Sequence, residues 1–378
     1  MLPTSLYIHI PWCIRKCPYC DFNSHKSPTS LPEQEYINAL LADFKNDLNY
    51  FPAREINTIF IGGGTPSLFS AEAYELLFAE LQQLVSFKPN IEITMEANPG
   101  TVEQHRFNAY RRLGINRLSL GIQSFNAHHL KVLGRIHDDQ QAHRAIEAAR
   151  LAGFENLNID LMHGLPGQSL AQGLADLNTA LTYQPEHLSW YQLTIEPNTL
   201  FYKQRPSLPN EDETSELEEQ GLSILETRGY LRYEISAFCK PDKAAIHNMN
   251  YWQFGDYFGI GAGAHSKISC PKTKAIYRCR KQRQPVDYLN PDKDFIAAKE
   301  LVNSEDLLFE FMLNLSRLEQ EIPKQLFQDR TGLAFEKLEP KLLKAAKTGL
   351  IKINATSWQI TPFGRRYTNN LQEVFLPD

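Results

Sequence analysis

The chain has 378 residues, 42% hydrophobic and 22% charged, with a formal net charge of −5. That length suffices for a large domain and a smaller one with a buried core, and the acidic balance excludes a protein built mainly to coat nucleic acid. No apolar run approaches the roughly 20 residues of a membrane span, and "MLPTSLYIHI" lacks the positive n-region and cleavage site of a secretion signal, so a cytoplasmic protein is expected.

In chain order, short β-rich runs at 6–10, 58–61, 91–97, 117–123, 156–162 and 187–195 alternate with helical patterns. "AEAYELLFAELQQLV" and "DDQQAHRAIEAARLAG" carry apolar residues at three-and-four spacing. "TVEQ" at 101–104 reads as a capping box that opens a helix. Six strand–helix units in series predict a parallel sheet, wound as an open or closed barrel over 1–240. "EDETSELEE" (211–219) opens a helix, with carboxylates at its positive dipole end. A connecting segment, 241–290, follows. Within it 266–283 holds seven Lys/Arg and no acid, a basic loop that is either solvated surface or a face for propionates, a partner or a membrane. Over 291–378 three amphipathic helices precede "LIKINATSWQITPFGRRY", which alternates across "NATS" as a hairpin does. A small winged-helix-like domain is expected there. Lys and Arg do not dominate its candidate recognition helix, so no nucleic-acid partner is expected.

The chemistry begins with Cys13, Cys17 and Cys20, spaced Cys-x3-Cys-x2-Cys in "PWCIRKCPYC". They sit too close for mutual bridging, and soft thiolates select zinc or iron–sulfur. Zinc needs a fourth ligand, for which His9 or His25 could serve. A four-iron cluster on three thiolates instead leaves one iron open to a small molecule. Three unrelated buried cysteines are the remaining reading. Cys239, Cys270 and Cys279 show no ligand spacing and read as ordinary thiols.

"FIGGGTPS" follows the second strand, and its glycines let backbone approach a ligand closely, or simply make a tight turn. Glu96 ends the third strand and Gln123 the fourth, Arg135 follows in "LGRIH", and Asp160 lies in the fifth. Each alone could be a structural cap or ion-pair residue. Together they are polar groups at several strand ends, which is how a barrel builds a site at its mouth.

"CIRKCPYC" behind a strand, with Tyr19 before the third cysteine, resembles the cluster signature of the radical S-adenosylmethionine (SAM) enzymes. That resemblance implies a 4Fe-4S cluster on the three cysteines. SAM would chelate the open iron through its amino and carboxylate groups and be cleaved to a 5′-deoxyadenosyl radical. With "GGGTPS", "EANPGT", "LGIQSF" and "IDLMHGLPGQ", nearly the whole chain resembles the group containing oxygen-independent coproporphyrinogen III oxidase and its relatives. The resemblance implies a partial, TIM-like (β/α)6 barrel and SAM contacts at Tyr7, Gly63, Gly64, Thr65, Glu96, Gln123, Arg135 and Asp160.

The oxidase of that group uses the radical on two propionate side chains, which then lose carbon dioxide. Its members carry a further cysteine two residues after the third, where this chain has Phe22, and an N-terminal arm for which this chain has no room. "HNMNYW" (247–252) instead resembles the His-Asn-x-x-Tyr-Trp signature of the heme chaperone branch. His247 could be an axial ligand to heme iron, and Tyr251 and Trp252 could lie on a porphyrin face. The alternative is a histidine packed in an aromatic core, and His265 in "GIGAGAHS" is a second candidate ligand. The resemblance therefore implies a chaperone that holds a 4Fe-4S cluster, SAM and heme as cargo for respiratory acceptor proteins. No catalytic residue is assigned. The decarboxylating oxidase is the alternative, and a zinc-stabilised interaction protein is the reading from a third class. A homodimer, and a peripheral membrane contact through 267–283, are further expectations.

Overall fold

Six parallel strands organise the N-terminal part of the chain in the computed structural model, which describes residues 2–52, 55–100, 104–271, 273 and 275–377. They are β1 (Thr4–Ile10), β2 (Ile56–Gly63), β3 (Phe87–Ala97), β4 (Arg117–Gln123), β5 (Leu157–His163) and β6 (His187–Gln192), each paired with its successor. Helices α1 (Glu33–Tyr50), α2 (Ala71–Leu84), α3 (Gln104–Arg112), α4 (Asp139–Leu151) and α5 (Leu170–Thr182) lie in the crossovers, and α6 (Glu211–Thr227) follows β6. Every residue of β4 is buried, because helices cover one face of the sheet and the barrel interior fills the other.

The helix starts are chemically explicit. Asp138 with Gln141, Ser169 with Gln172 and Asn210 with Glu213 form reciprocal capping boxes at α4, α5 and α6. The box expected at 101–104 lies outside the described residues.

The barrel stays open, and its sheet grows to twelve strands. Strands β7 (Leu231–Glu234) and β8 (Ala237–Cys239) extend it antiparallel beyond β6. On the other side β9 (Asp256–Ile260) pairs parallel to β1, and β10 (His265–Ser269), β11 (Ile276–Lys281) and β12 (Ile296–Leu301) continue antiparallel.

This extension corrects the expected basic loop at 266–283, which is largely β10 and β11. Its cations hide the strand signal because their partners are distant in sequence. Lys267 pairs with Asp256 at 3.1 Å and Lys281 with Asp43 and Asp47 of α1, all buried. Arg278 pairs with Glu310 and Arg280 with Glu300, while Lys272 and Lys274 lie outside the described residues. Buried charges are tolerated only when paired, so Lys267 and Lys281 are built into the fold rather than offered to solvent.

After the short helix α7 (Ile246–Trp252), the C-terminal part contains α8 (Ser304–Leu315), α9 (Lys324–Thr331) and α10 (Glu339–Lys347). Strands β14 (Ile351–Ile353) and β15 (Ser357–Ile360) form the expected hairpin, joined by β13 (Ile322–Pro323) in a three-stranded sheet. Trp358 is fully buried in its own core with Phe311, Phe327 and Leu342. Phe254 packs edge-on against Phe311 at 5.7 Å, and Arg317 bonds Glu234 at 2.7 Å, so the winged unit is fixed to the sheet.

Candidate cluster and cofactor site

The loop after β1 is held by a two-residue parallel pair, Trp12–Cys13 with His25–Lys26. Its three cysteines are free and half-buried, and they line one pocket of about 470 Å³ at the carboxyl ends of the barrel strands. Each sulfur has a polar neighbour. The Thr65 hydroxyl donates to Cys13 Sγ at 3.5 Å and Arg135 Nη1 to Cys17 Sγ at 3.6 Å, while Cys20 Sγ lies 3.6 Å from Ser24 Oγ. Burial pushes the Cys13 and Cys20 thiols up, so a metal must displace their protons to bind.

The donor set is thiolate alone. His9 is engaged at both ring nitrogens, 2.9 Å from the Tyr7 hydroxyl and 2.9 Å from the Asn23 carbonyl, and burial holds its pKa down at about 4. His25 contacts Asn23 Oδ1 at 3.2 Å, and neither histidine lines the pocket. Among the described residues no three His, Cys, Asp or Glu side chains gather as the ligands of one metal ion. Three soft thiolates without a histidine fit an iron–sulfur cluster with an open position better than a tetrahedral zinc site.

The glycine turn is pressed against that loop. Gly63 has φ +112°, and a Cβ there would fall 2.5 Å from His9 Cε1; one on Gly64 would fall 2.5 Å from the Trp12 carbonyl oxygen. Only glycine tolerates both demands. The Gly63 N–H donates to Glu96 Oε2 at 3.1 Å. Arg135 donates to Asn98 Oδ1 and, at 2.6 Å, to the Gly121 carbonyl, and Asn98 donates to Thr65 Oγ1 at 3.0 Å. One hydrogen-bonded chain thus runs from Cys17 through Arg135, Asn98 and Thr65 to Cys13.

Gln123 ends β4 with φ +69°, and its Oε1 accepts from the Tyr191 hydroxyl at 2.9 Å. Asp160 accepts from Ser119 at 3.1 Å and Asn158 at 2.7 Å. Burial, then the charge of Asp160, pushes Glu96 up to about 8, and burial raises Asp160 as well. Two carboxyl groups raised together make a pocket that favours a cation. Asn98, Ser119, Asn158 and Tyr191 were not singled out in the sequence. Asn98 alone had a signal, two residues beyond Glu96 just past a strand end.

A second cavity of about 870 Å³ shares Phe22, Gly63 and Glu96 with the first, and Tyr7, Tyr251, Trp252 and His265 are among its walls. His247 is not. It is 1% exposed, its Nδ1 is 2.9 Å from Thr58 Oγ1 and its Nε2 is 2.8 Å from the Tyr251 hydroxyl. Burial pulls its pKa down to about 3. Its ring packs on Phe60 at 5.2 Å, and its backbone N–H donates to Glu92 at 3.1 Å. The segment expected to supply an axial ligand thus turns the His247 imidazole into the sheet, where Thr58 and Tyr251 take both nitrogens.

The radical SAM superfamily pattern matches residues 7–178, and that of the HemN C-terminal domain matches 302–367. The chain is 48% identical over 380 residues to a Haemophilus influenzae protein named heme chaperone HemW, covering 100% of this chain and 98% of that one. It is 47% identical over 376 residues to the Escherichia coli protein of the same name, covering 100% and 99%. Among solved structures, coproporphyrinogen III oxidase (HemN) from Escherichia coli superposes with a TM-score of 0.82 at 23% identity, over 99% of this chain and 90% of that one, which establishes a shared fold. The chain belongs to the HemW family of radical SAM proteins.

Proposed function

We propose that this protein is a heme chaperone that holds a 4Fe-4S cluster and SAM and delivers heme, in the cytoplasm, to respiratory acceptor proteins. Cys13, Cys17 and Cys20 would hold the cluster. Tyr7, Gly63, Gly64, Thr65, Glu96, Gln123, Arg135 and Asp160 would hold SAM. When bound, the cluster supplies an electron and an open iron for the amino and carboxylate groups of SAM. The chain's own contribution is electrostatic and steric: Glu96 and Asp160 favour the cationic end of SAM, Arg135 and Thr65 donate toward the thiolates, and the glycine turn leaves room for a close ligand.

The observation that carries the heme assignment is the second cavity, an aromatic and cationic chamber that shares Phe22 with the cluster pocket. Relatives of full-length similarity bear the name heme chaperone, which agrees with it. Anaerobically reconstituted protein should contain iron and acid-labile sulfide, bind hemin stoichiometrically, and release it to an apo b-type cytochrome as a transfer of the Soret band. The same protein should release no carbon dioxide from coproporphyrinogen III. Decarboxylation without hemin binding would overturn the reading in favour of the oxidase.

A further inference from the structure

We propose that heme is seated in the second cavity, with the His265 imidazole as an iron ligand and the Arg280 and Arg283 guanidinium groups holding its carboxylates. The inference rests on the chaperone reading for the identity of the ligand, and adds where and how it is held. A heme needs a slot of several hundred Å³, an apolar wall, a nitrogen for the iron and cations for two propionates. The cavity's volume of about 870 Å³ falls within the roughly 300–1,000 Å³ typical of ligand sites.

Tyr251, Trp252 and Tyr257 supply the wall, and Phe22, 61% exposed, stands free at the border with the cluster pocket. A large aromatic left in solvent beside a cavity is surface that a flat apolar ligand would cover.

The two candidate histidines differ in what their nitrogens already do. Those of His247 are occupied by Thr58 and Tyr251, and the residue is sealed from both cavities. His265 opens β10, is exposed within the second cavity, and its ring nitrogens make no hydrogen bond among the described residues. His247 acts instead as a positioning residue, holding the Tyr251 hydroxyl and hence that wall.

The cations sort in the same way. Lys267, Lys281 and Arg278 line the cavity but are paired with Asp256, with Asp43 and Asp47, and with Glu310. Arg280 stands directly opposite His265 in the strand register, with the small Ala298 opposite it on the other side. Its partner Glu300 is 67% exposed and Arg280 itself 57%. Such a surface pair contributes little, so a propionate can displace it. Among the described residues the Arg283 guanidinium makes one hydrogen bond, to Asn23 Oδ1 at 3.3 Å. Two guanidinium groups are therefore open to carboxylates, which they match bidentately.

The test is a titration of reconstituted protein with hemin and, separately, with metal-free protoporphyrin IX. The His265→Ala variant should bind hemin about tenfold or more weakly and lose the ligand-dependent Soret shift, yet bind protoporphyrin IX as before, since only iron meets the imidazole. The double variant Arg280→Ala/Arg283→Ala should weaken both by about tenfold. Hemin affinity and spectrum unchanged in His265→Ala would remove this site while leaving the chaperone reading intact. Absence of hemin binding by the unaltered chain would remove both.

Discussion

The cluster pocket and the cavity beside it share Phe22, Gly63 and Glu96, yet the first is closed around its own hydrogen bonds and the second is not. In the pocket, Thr65, Asn98 and Arg135 link two cysteines through a continuous chain of hydrogen bonds, and glycines bring the backbone into contact. In the cavity an imidazole and two guanidinium groups face space with weak partners or none. The first arrangement suits a resident cofactor, whose surroundings must be fixed in advance. The second suits a cargo that has to leave, because groups that return readily to water or to a surface partner hold a ligand without committing the fold to it.

If the two sites are separable, removing the cluster should be the most drastic single change and should still spare the neighbour. Cys17→Ala is expected to reduce iron and acid-labile sulfide to background while hemin binding persists; loss of hemin binding together with the cluster would show that the cavity is not independent. Next in size is the pin that holds the extension. Lys281→Ala leaves Asp43 and Asp47 buried without their cation, and chemical denaturation should show a loss of about 3–5 kcal/mol. A loss below about 1 kcal/mol would mean that β11 is not anchored through this contact.

The pocket alone should be sensitive to pH through Glu96. Its folded pKa is raised to about 8 from the ordinary 4.5, so the empty fold keeps a proton that the unfolded chain releases. Stability of the cofactor-free protein should therefore fall as pH rises from 4.5 toward 8. A cationic ligand needs the carboxylate, so SAM binding should release a proton and tighten by up to about tenfold per pH unit until about pH 8. The Glu96→Gln variant should be flat, and an equally steep profile in it would assign the proton elsewhere. The smallest effect belongs to the cavity: Glu300→Gln frees Arg280 and should tighten hemin by about twofold, measured by the same titration. Weaker binding would place Glu300 rather than Arg280 against the ligand.

The sequence shows the pocket more readily than the cavity for a physical reason. Parallel strands of this topology deliver their carboxyl ends to one mouth, so Glu96, Gln123 and Asp160 can be placed there from strand positions alone, and a cysteine triplet behind a strand marks the rim. The extension β9–β12 carries no comparable local signal. Lys267 and Lys281 look like solvated charges until Asp256, Asp43 and Asp47 are seen beside them, and those last two lie on α1, far back in the chain. "HNMNYW" shows the types of residue a heme site uses, but not their direction. Whether His247 faces a ligand or the sheet is decided by Thr58 and Tyr251, which no spacing reveals. Asn98 has a positional signal just past a strand end, but its importance comes from Arg135 and Thr65 meeting it in space.

The most direct measurement is anomalous diffraction at the iron edge from crystals of reconstituted protein soaked in hemin. Two separate iron positions are expected, the cluster against Cys13, Cys17 and Cys20 and a single iron within bonding distance of His265 in the adjoining cavity. A heme iron bonded to His247, or bound outside that cavity, would contradict the assignment of the two chambers.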